Sequence, residues 1–356
     1  DALPILHAIL SEPALDPVKL ISEPWDTGMG GWQVGNFLIG YEEWNDGYRD
    51  DVREFWLRDI AEERAWGLAP QGVGQLANRL AGSTNTFGEA RAPLASVNFV
   101  TAHDGFTLAD LVSFDVKNNK ANGEDNRDGT DQNRSFNFGF EGYTTDDAII
   151  VERRRAMRSL LGTLFTSAGV PMMTAGDELG RTQHGNNNAY CHDSALTWID
   201  WNLSDWQRAH LESTKRLIAI RRDNPALRPT GKSSPSVEIS PAGRPRQART
   251  PSDAATMDWY SAEGTLMTLE NWQDSQERTL QYLAGTPAQD GTRNRILVLV
   301  HGLESSAEVA LPKRTDVESY TLLWDSSHAA APDGRTWSPG ETIAVGPTSL
   351  SIFAVN

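Results

Sequence analysis

The sequence is poor in cysteine and in basic residues, and it has no long apolar run. Cys191 is the only cysteine in 356 residues, so no disulfide can form within the chain, which fits a reducing compartment such as the cytoplasm. No segment approaches the ~20 apolar residues of a membrane-spanning helix, and no signal peptide is visible. The net charge of −16 argues against a nucleic-acid partner, because phosphate binding needs a basic face. We therefore expect a cytoplasmic globular protein with neither a membrane nor a nucleic acid as partner.

Motifs that define several enzyme classes are also absent. The chain has no G-x-G-x-x-G and no P-loop, and it lacks the H-E-x-x-H, C-x-x-C and G-x-S-x-G patterns of metalloproteases, zinc modules and serine hydrolases. The long polar segment 115–147 approaches a calcium loop from Glu124 onward, but Ser135 stands at position twelve, where a bidentate glutamate is required. We expect neither a metal site nor an organic cofactor.

The first two thirds of the chain alternate short apolar runs with helical patterns. Such alternation predicts a parallel sheet, which could be a closed eight-stranded barrel or a doubly wound open sheet. The predicted strands are Val18–Ile21, Ala95–Thr101 and Val170–Ala175, and the clearest helices are 149–168 and 204–222. Capping-box spacings precede two helices, at Thr107 with Asp110 and at Ser204 with Gln207.

The composition shifts from about Thr230. A segment rich in Pro, Ser and Arg predicts a linker or long surface loop, and the patterns beyond it are those of antiparallel strands. We therefore divide the chain into a strand–helix part (1–228), a linker (229–256) and a C-terminal antiparallel β-sandwich (257–356).

Polar side chains follow two of the predicted strands directly. Glu23 follows the first, and His103 with Asp104 follows the second. Each carboxylate could be an ordinary loop residue, or Asp104 a favourable charge at the mouth of the next helix. At the carboxyl face of a barrel, the same positions carry catalytic groups. Trp25 would partly shield Glu23 from water, which suits a general acid.

A third polar segment, 176–193, follows the strand Val170–Ala175. It is dense in amides and carboxylates, which satisfy sugar hydroxyls well, and it includes Asn186 as a candidate substrate-binding residue. The alternative is a polar loop without a ligand. The chain also has 12 tryptophans, and exposed indoles beside polar groups suit the apolar faces of sugar rings, although an interdomain core would use them too.

Taken together, these segments resemble the bacterial glycogen debranching enzymes of the isoamylase type, in glycoside hydrolase family 13 of the α-amylase superfamily. The resemblance runs from Asp1 to about Arg228 and continues more weakly beyond. The segments that carry it are LISEPWDTGMGGWQVGNF, EWNDGYRDDVREFW, VNFVTAHDGFTLADLV, NGEDNRDGT, GVPMMTAGDELGRTQHGNNNAYC and LTWIDW.

The resemblance implies an α/β fold, the second half of a (β/α)8 TIM barrel (strands 5–8), followed by a C-terminal antiparallel β-sandwich. Strand six would lie near Tyr41–Asn45. It implies a retaining hydrolysis of α-1,6 branch linkages in glycogen-derived branched oligosaccharides. Glu23 matches the family's general acid/base, Asp104 its transition-state stabiliser, and His103 the histidine that hydrogen-bonds the same sugar. Trp25 would wall the substrate.

The family's nucleophilic aspartate and its first four barrel strands would precede Asp1, where the chain looks cut. We therefore expect the chain to be inactive alone and to have a missing N-terminal half as its partner. Two alternatives stay open. The chain could be a non-catalytic glucan-binding or complementing half, or the enzyme could act on α-1,4 bonds, since the superfamily shares these carboxylates.

Overall fold

The computed structural model describes residues 3–229, 237–239, 245–247, 256–286 and 293–356. Strands and helices alternate in residues 3–229, and strands dominate the later ranges. The helices are α1 (Leu3–Leu10), α2 (Asp46–Arg53), α3 (Asp59–Trp66), α4 (Gly74–Leu80), α5 (Thr84–Arg91), α6 (Leu108–Leu111), α7 (Asp147–Thr166), α8 (Asp205–Asp223) and α9 (Leu269–Gln273). The strands are β1 (Leu20–Ser22), β2 (Tyr41–Trp44), β3 (Ser96–Phe99), β4 (Val170–Met172), β5 (Val237–Ile239), β6 (Pro245–Gln247), β7 (Thr256–Tyr260), β8 (Thr279–Gly285), β9 (Arg295–His301), β10 (Ala307–Ala310), β11 (Tyr320–Asp325), β12 (Thr336–Trp337), β13 (Thr342–Val345) and β14 (Ser349–Val355).

The first four strands form a parallel sheet in the order β1–β2–β3–β4. Its register is set by the Cα pairs Ser22–Glu43, Trp44–Val97 and Phe99–Met172. The carboxyl ends of all four strands therefore lie along one edge of the sheet, where ligand sites of parallel sheets are found. The expected α/β fold with a parallel sheet is confirmed, and a strand does lie near Tyr41–Asn45.

The first strand is less buried than its apolar pattern predicts. It covers Leu20–Ser22 rather than Val18–Ile21, and Ile21 keeps 48% of its surface exposed. Among the described residues, no strand pairs with the outer edge of β1 or with that of β4. Helix α1, which precedes β1 in the chain and has the sequence LPILHAIL, leaves Ile5 64% exposed. The prediction of a buried strand was wrong, because β1 is the outermost strand of this sheet and its side chains stay partly or largely exposed.

Polar caps begin the helices near the sheet. Asn45 accepts a hydrogen bond from the Tyr48 amide at 2.9 Å and begins α2 directly after β2. At α8 the predicted capping box forms, with Ser204 donating its backbone N–H to the Gln207 side chain at 3.0 Å. At α6 only half of the predicted box forms: the Thr107 side chain accepts from the Asp110 amide, but the Asp110 carboxylate does not accept from the Thr107 backbone.

Asp110 is instead buried and joins α6 to the loop after β4. Its carboxylate accepts from the Thr182 hydroxyl and, at 2.8 Å, from the Gln183 amide in the segment after β4. Burial raises the pKa of this carboxyl, while these donors oppose the rise. The Asp110 carboxylate thus connects helix α6 with the loop after β4.

The C-terminal part is antiparallel, as expected. A six-stranded sheet has the order β12–β11–β14–β9–β8–β7, and β10 pairs with β13 in a second sheet. The two sheets share a core that includes Leu299, Val309, Ile343 and Phe353. The antiparallel pair β5–β6 lies within the predicted linker 229–256, most of which falls outside the described residues.

The other face of the six-stranded sheet packs against α7 and α8. Its buried residues belong to the same hydrophobic core as those helices. The Tyr282 hydroxyl on β8 donates to the Thr166 carbonyl at 2.9 Å, and the Trp324 indole on β11 donates to the Ser213 hydroxyl at 3.0 Å. One core thus spans residues on both sides of 229–256, and the three-part division of the chain stays a prediction.

Candidate active site

Glu23 lies at the carboxyl end of β1 and is exposed. The next residue, Pro24, is buried and accepts a backbone hydrogen bond from Gln33 at 2.7 Å. This bond closes a loop whose tight turn explains the glycines of the DTGMGG segment. A Cβ on Gly31 would lie 2.1 Å from the Asp26 carboxylate, so only glycine fits there. Glu23 is exposed in this chain, and its partial shielding by Trp25 stays a prediction.

Trp44 connects the ends of three strands. Its ring, at the end of β2, lies 6.2 Å from that of Trp25, 5.6 Å from that of Phe99 and 5.9 Å from that of His103, measured between ring centroids. Trp25 follows β1, whereas His103 follows β3. Two of the predicted site residues, Trp25 and His103, therefore contact the same indole, and they bring the loops that carry Glu23 and Asp104 to one edge.

His103 and Asp104 are both exposed on the loop after β3. Asp177, in the loop after β4, holds this loop at both ends. Its carboxylate accepts from the Thr101 hydroxyl and, at 2.9 Å, from the backbone N–H of Leu108. The segment 101–108 is thereby fixed on either side of His103 and Asp104, while their side chains stay accessible to a ligand.

Asp177 is fully buried, and burial raises the pKa of its carboxyl to about 6. The hydrogen bonds from Thr101 and Leu108 and the charge of Arg181 all lower this pKa, but burial outweighs them. Behind it, the buried His210 contacts the Asp177 carbonyl oxygen at 3.1 Å, and burial lowers the pKa of that imidazole to about 4. Two buried titratable groups, the Asp177 carboxyl and the His210 imidazole, therefore lie behind the segment 101–108, and burial keeps both uncharged in mildly acidic solution.

The loop after β1 is also tied to the end of β2. The exposed indole of Trp32 donates to the Asp46 carboxylate at 2.8 Å. Glu43 is fully buried, and its carboxylate accepts from the Gly35 amide at 2.6 Å and pairs with Arg91 at 2.5 Å. Of the polar groups around this end, Glu43 is committed to structure, whereas Trp32 and Asp46 stay near the surface.

Asn186 is buried in a network of side-chain amides. It is 1% exposed, its amide nitrogen donates to Asn122 at 2.6 Å, and its amide oxygen accepts from the Asn188 backbone at 2.9 Å. Neighbouring amides continue this network: Asn187 exchanges hydrogen bonds with Asn119. The network joins the segment 115–147 to the segment 176–193. Both the nitrogen and the oxygen of its side-chain amide are hydrogen-bonded within the protein, so Asn186 is a structural residue in this arrangement. Its contact with a substrate stays a prediction.

Three residues of this edge were not predicted as functional: Trp44, Asp177 and Asp46. Trp44 ends the short strand YEEW, and Asp46 follows it two residues later; the strand has two glutamates, so its alternating burial has a weak sequence signal. Asp177 stands in the conspicuous GDE triplet after β4, but its partners are some 70 residues earlier. In the described part of the chain, no group of three or more His, Cys, Asp or Glu is arranged to hold a metal ion. No helix there is long and apolar enough to cross a bilayer.

Comparison with curated proteins identifies relatives of this chain. Over 311 residues, 87% of the chain, it is 41% identical to the glycogen debranching enzyme of Serratia proteamaculans and 40% identical to that of Yersinia pestis. The chain is a relative of the bacterial glycogen debranching enzymes. It spans 41% of the length of these relatives. The resemblance found in the sequence motifs is thereby confirmed. No protein-family model matches the chain.

Solved structures share the fold at low sequence identity. The pullulanase from Bacillus acidopullulyticus superposes with a TM-score of 0.63 at 18% identity, over 99% of this chain and 35% of the pullulanase. The catalytic module of a glycogen-degrading pneumococcal virulence factor gives 0.63 at 17% identity, over 100% of this chain and 51% of the module. At such identities the likeness concerns the fold alone, and it covers both the parallel and the antiparallel sheets.

Proposed function

We propose that this chain is the C-terminal portion of a glycogen debranching enzyme that hydrolyses α-1,6 branch linkages. The relatives at about 40% identity carry that name. The motifs that carry the family resemblance in the sequence contain both candidate catalytic carboxylates, Glu23 and Asp104. The observation that carries the proposal is the contact of Trp44 with Trp25 and His103, because it places the loops of Glu23 and Asp104 at one sheet edge.

In this proposal Glu23 is the general acid/base. It protonates the departing glycosidic oxygen and then activates the water that completes a retaining hydrolysis. Asp104 and His103 bind the ring hydroxyls of the distorted, oxocarbenium-like sugar, and their hold on it strengthens in the transition state. Asp177 keeps the segment 101–108 in place for this task. Trp25, packed edge-on against Trp44, forms part of the wall against the sugar.

The nucleophile belongs to a part of the enzyme outside this chain. A retaining glycosidase needs a second carboxylate about 5 Å from its acid/base. The family pattern places that aspartate before the strand that carries Glu23, and the chain spans 41% of the relatives' length. We infer that β1–β4 are strands 5–8 of a (β/α)8 barrel and that the missing strands lie between the β4 and β1 edges. Support comes from those edges, which no described strand covers.

The test uses a longer protein that contains this chain together with the first barrel strands. Glu23→Gln should lower the release of linear maltooligosaccharides from branched limit dextrin by about 10²–10⁴-fold, the contribution of a positioned general acid. Glu318→Gln, an exposed substitution in the C-terminal part, is the matched control. A Glu23→Gln enzyme of near-normal rate would remove Glu23 from this role. The chain alone should release nothing, and release by it would refute the missing nucleophile.

A non-catalytic, complementing half is the second candidate, and the same open edges favour it. Mixing this chain with a separately made N-terminal half should then restore activity that neither half has. Product analysis distinguishes an enzyme that cleaves α-1,4 bonds from one that cleaves α-1,6 bonds. Only α-1,6 hydrolysis releases unbranched chains while leaving linear glucan intact.

A further inference from the structure

A cleft of about 560 Å³ lies outside the candidate active site, between the helical run 54–66 and residues 131–136. The second wall belongs to the long polar segment 115–147, for which the proposed catalysis has no use. Glu23, Trp25, His103 and Asp104 do not line this cleft. Any ligand bound here would therefore be separate from the bond that is cleaved.

One wall of the cleft is partly apolar. Trp66, at the end of α3, lines it and keeps 67% of its surface exposed. Ala61 and Ala65 line it from the same helical face, one turn apart, and their small side chains leave the space beside the indole open. An exposed indole that lines the same cleft as small side chains is a platform on which a planar or ring-shaped ligand can stack.

The other groups of the cleft are polar, and most of their charges are paired. Arg58 contacts Glu62 at 2.6 Å, and Arg134 contacts Glu54 at 3.2 Å. Asp115 and Asp131 add two further carboxylates, so the lining has an excess of negative charge. This balance disfavours an anionic ligand. Paired carboxylates and guanidiniums still have free donor and acceptor positions for the hydroxyls of a neutral ligand.

Asn133 provides an independent indication of a ligand. It lines the cleft and is only 4% exposed. Its amide oxygen accepts from Asn187 at 2.8 Å, but its amide nitrogen is buried and donates to no described residue. A buried donor without a partner costs free energy, and an acceptor on a bound molecule would recover that cost once a small movement of the Asn133 side chain exposes the nitrogen to the cleft.

We propose that this cleft is a second glucan-binding site, which holds a linear α-glucan segment by stacking on Trp66 and hydrogen bonding to Asn133. The choice of an α-glucan rests on the proposed function, whereas the neutral, hydroxyl-rich and ring-shaped character of the ligand rests on the cleft itself. Such a site would anchor a branched substrate through one chain while another chain is cleaved.

The test is calorimetric titration of maltoheptaose into the chain as it exists here. Trp66→Ala should weaken binding by about tenfold or more, equivalent to ~1.4 kcal/mol. Asn133→Asp keeps the acceptor for Asn187 but removes the unpaired donor, and it should also weaken binding. Trp201→Ala is the matched control, because that indole is 74% exposed and does not line the cleft. Circular dichroism and thermal unfolding verify that each variant is folded.

Three results would overturn the proposal. Maltoheptaose that fails to bind, or that binds Trp66→Ala as tightly as the unmodified chain, would show that the cleft is not the site. A cello-oligosaccharide of equal length that bound as tightly would refute the assignment to α-glucan. Glu23 does not line the cleft, so the titration and the hydrolysis test of Glu23→Gln are independent. Either test can fail while the other succeeds.

Discussion

The buried carboxyl of Asp177 leads to a prediction about stability. Removing a charged group from a hydrogen-bonded site usually destabilises a protein, but the pH dependence here should favour the neutral variant as the pH rises. The Asp177 carboxylate accepts two hydrogen bonds, yet burial raises its pKa from an ordinary value of 3.8 to about 6. The folded protein therefore binds this proton more tightly than the unfolded chain does. Between these two pKa values the native state holds more protons, so the contribution of Asp177 to stability falls as the pH rises.

The size of the effect follows from the shift. A displacement of about two pKa units corresponds to about 3 kcal/mol at pH values above 6, since each unit is worth ~1.4 kcal/mol. Asp177→Asn has nearly the same shape but does not ionise. We expect the free energy of unfolding of the variant, relative to that of the unmodified chain, to rise by about 2–3 kcal/mol from pH 4 to pH 7.

The difference between the two proteins is needed because His210 acts in the opposite direction. Burial lowers the pKa of its imidazole from 6.5 to about 4, so its contribution to stability is present above pH 6.5 and is lost as the pH falls. In the unmodified chain the two slopes nearly cancel between pH 4 and 6.5. A flat pH profile of that chain alone would conceal both groups.

The assay is urea unfolding of both proteins across this range, followed by far-ultraviolet circular dichroism. The other titrating groups are common to both proteins and drop out of the difference, provided that the fold is unchanged. A difference that stayed constant within about 0.5 kcal/mol, the usual limit of additivity, would refute the reasoning. It would mean that the Asp177 carboxyl is as ionised in the folded chain at pH 5 as in the unfolded one.

Three further predictions use the same measurement. His210→Gln can still donate to the carbonyl behind it but cannot titrate, so acidification from pH 6.5 to 4 should cost this variant about 3 kcal/mol less than the unmodified chain. Arg278→Ala leaves the Asp59 carboxylate buried without its guanidinium and should lower the free energy of unfolding by about 3–5 kcal/mol. The control is Lys215→Ala, which breaks the exposed pair with Glu212 and should change the free energy of unfolding by close to zero. Gly162→Ala places a Cβ 2.9 Å from the buried indole of β11 and should cost about 1–3 kcal/mol; a neutral result would mean that the sheet and α7 can separate slightly.

Local patterns predicted the elements whose signals lie close together in the sequence. The strands β3 and β4 were found because a short apolar run ends in turn residues, and α8 because Ser204 and Gln207 stand three residues apart. The positions of Glu23 and Asp104 at one edge followed from the parallel order of the strands, since every strand of such a sheet ends on the same side. These inferences needed no knowledge of distant contacts.

The remaining features depend on partners far along the chain. Glu43 is buried and pairs with Arg91, which stands 48 residues later, so no pattern near Glu43 in the sequence indicates the pair. Asn186 belongs to a segment whose amides suit sugar hydroxyls, yet these amides bind the amides of Asn119 and Asn122 first. Sequence composition identifies hydrogen-bonding capacity, whereas only the fold decides whether a ligand or the protein itself uses it.

The hydrophobic core shared by α7, α8 and the six-stranded sheet has a consequence for cooperativity. Residues from both parts of the chain belong to one cluster, and the Tyr282 and Trp324 hydrogen bonds cross between them. Neither part can melt without exposing the inner face of the other, so the two are thermodynamically coupled. A substitution on β8 or β11 can therefore change how firmly α7 and α8 hold the loops at the carboxyl edge, without touching any group that meets the substrate.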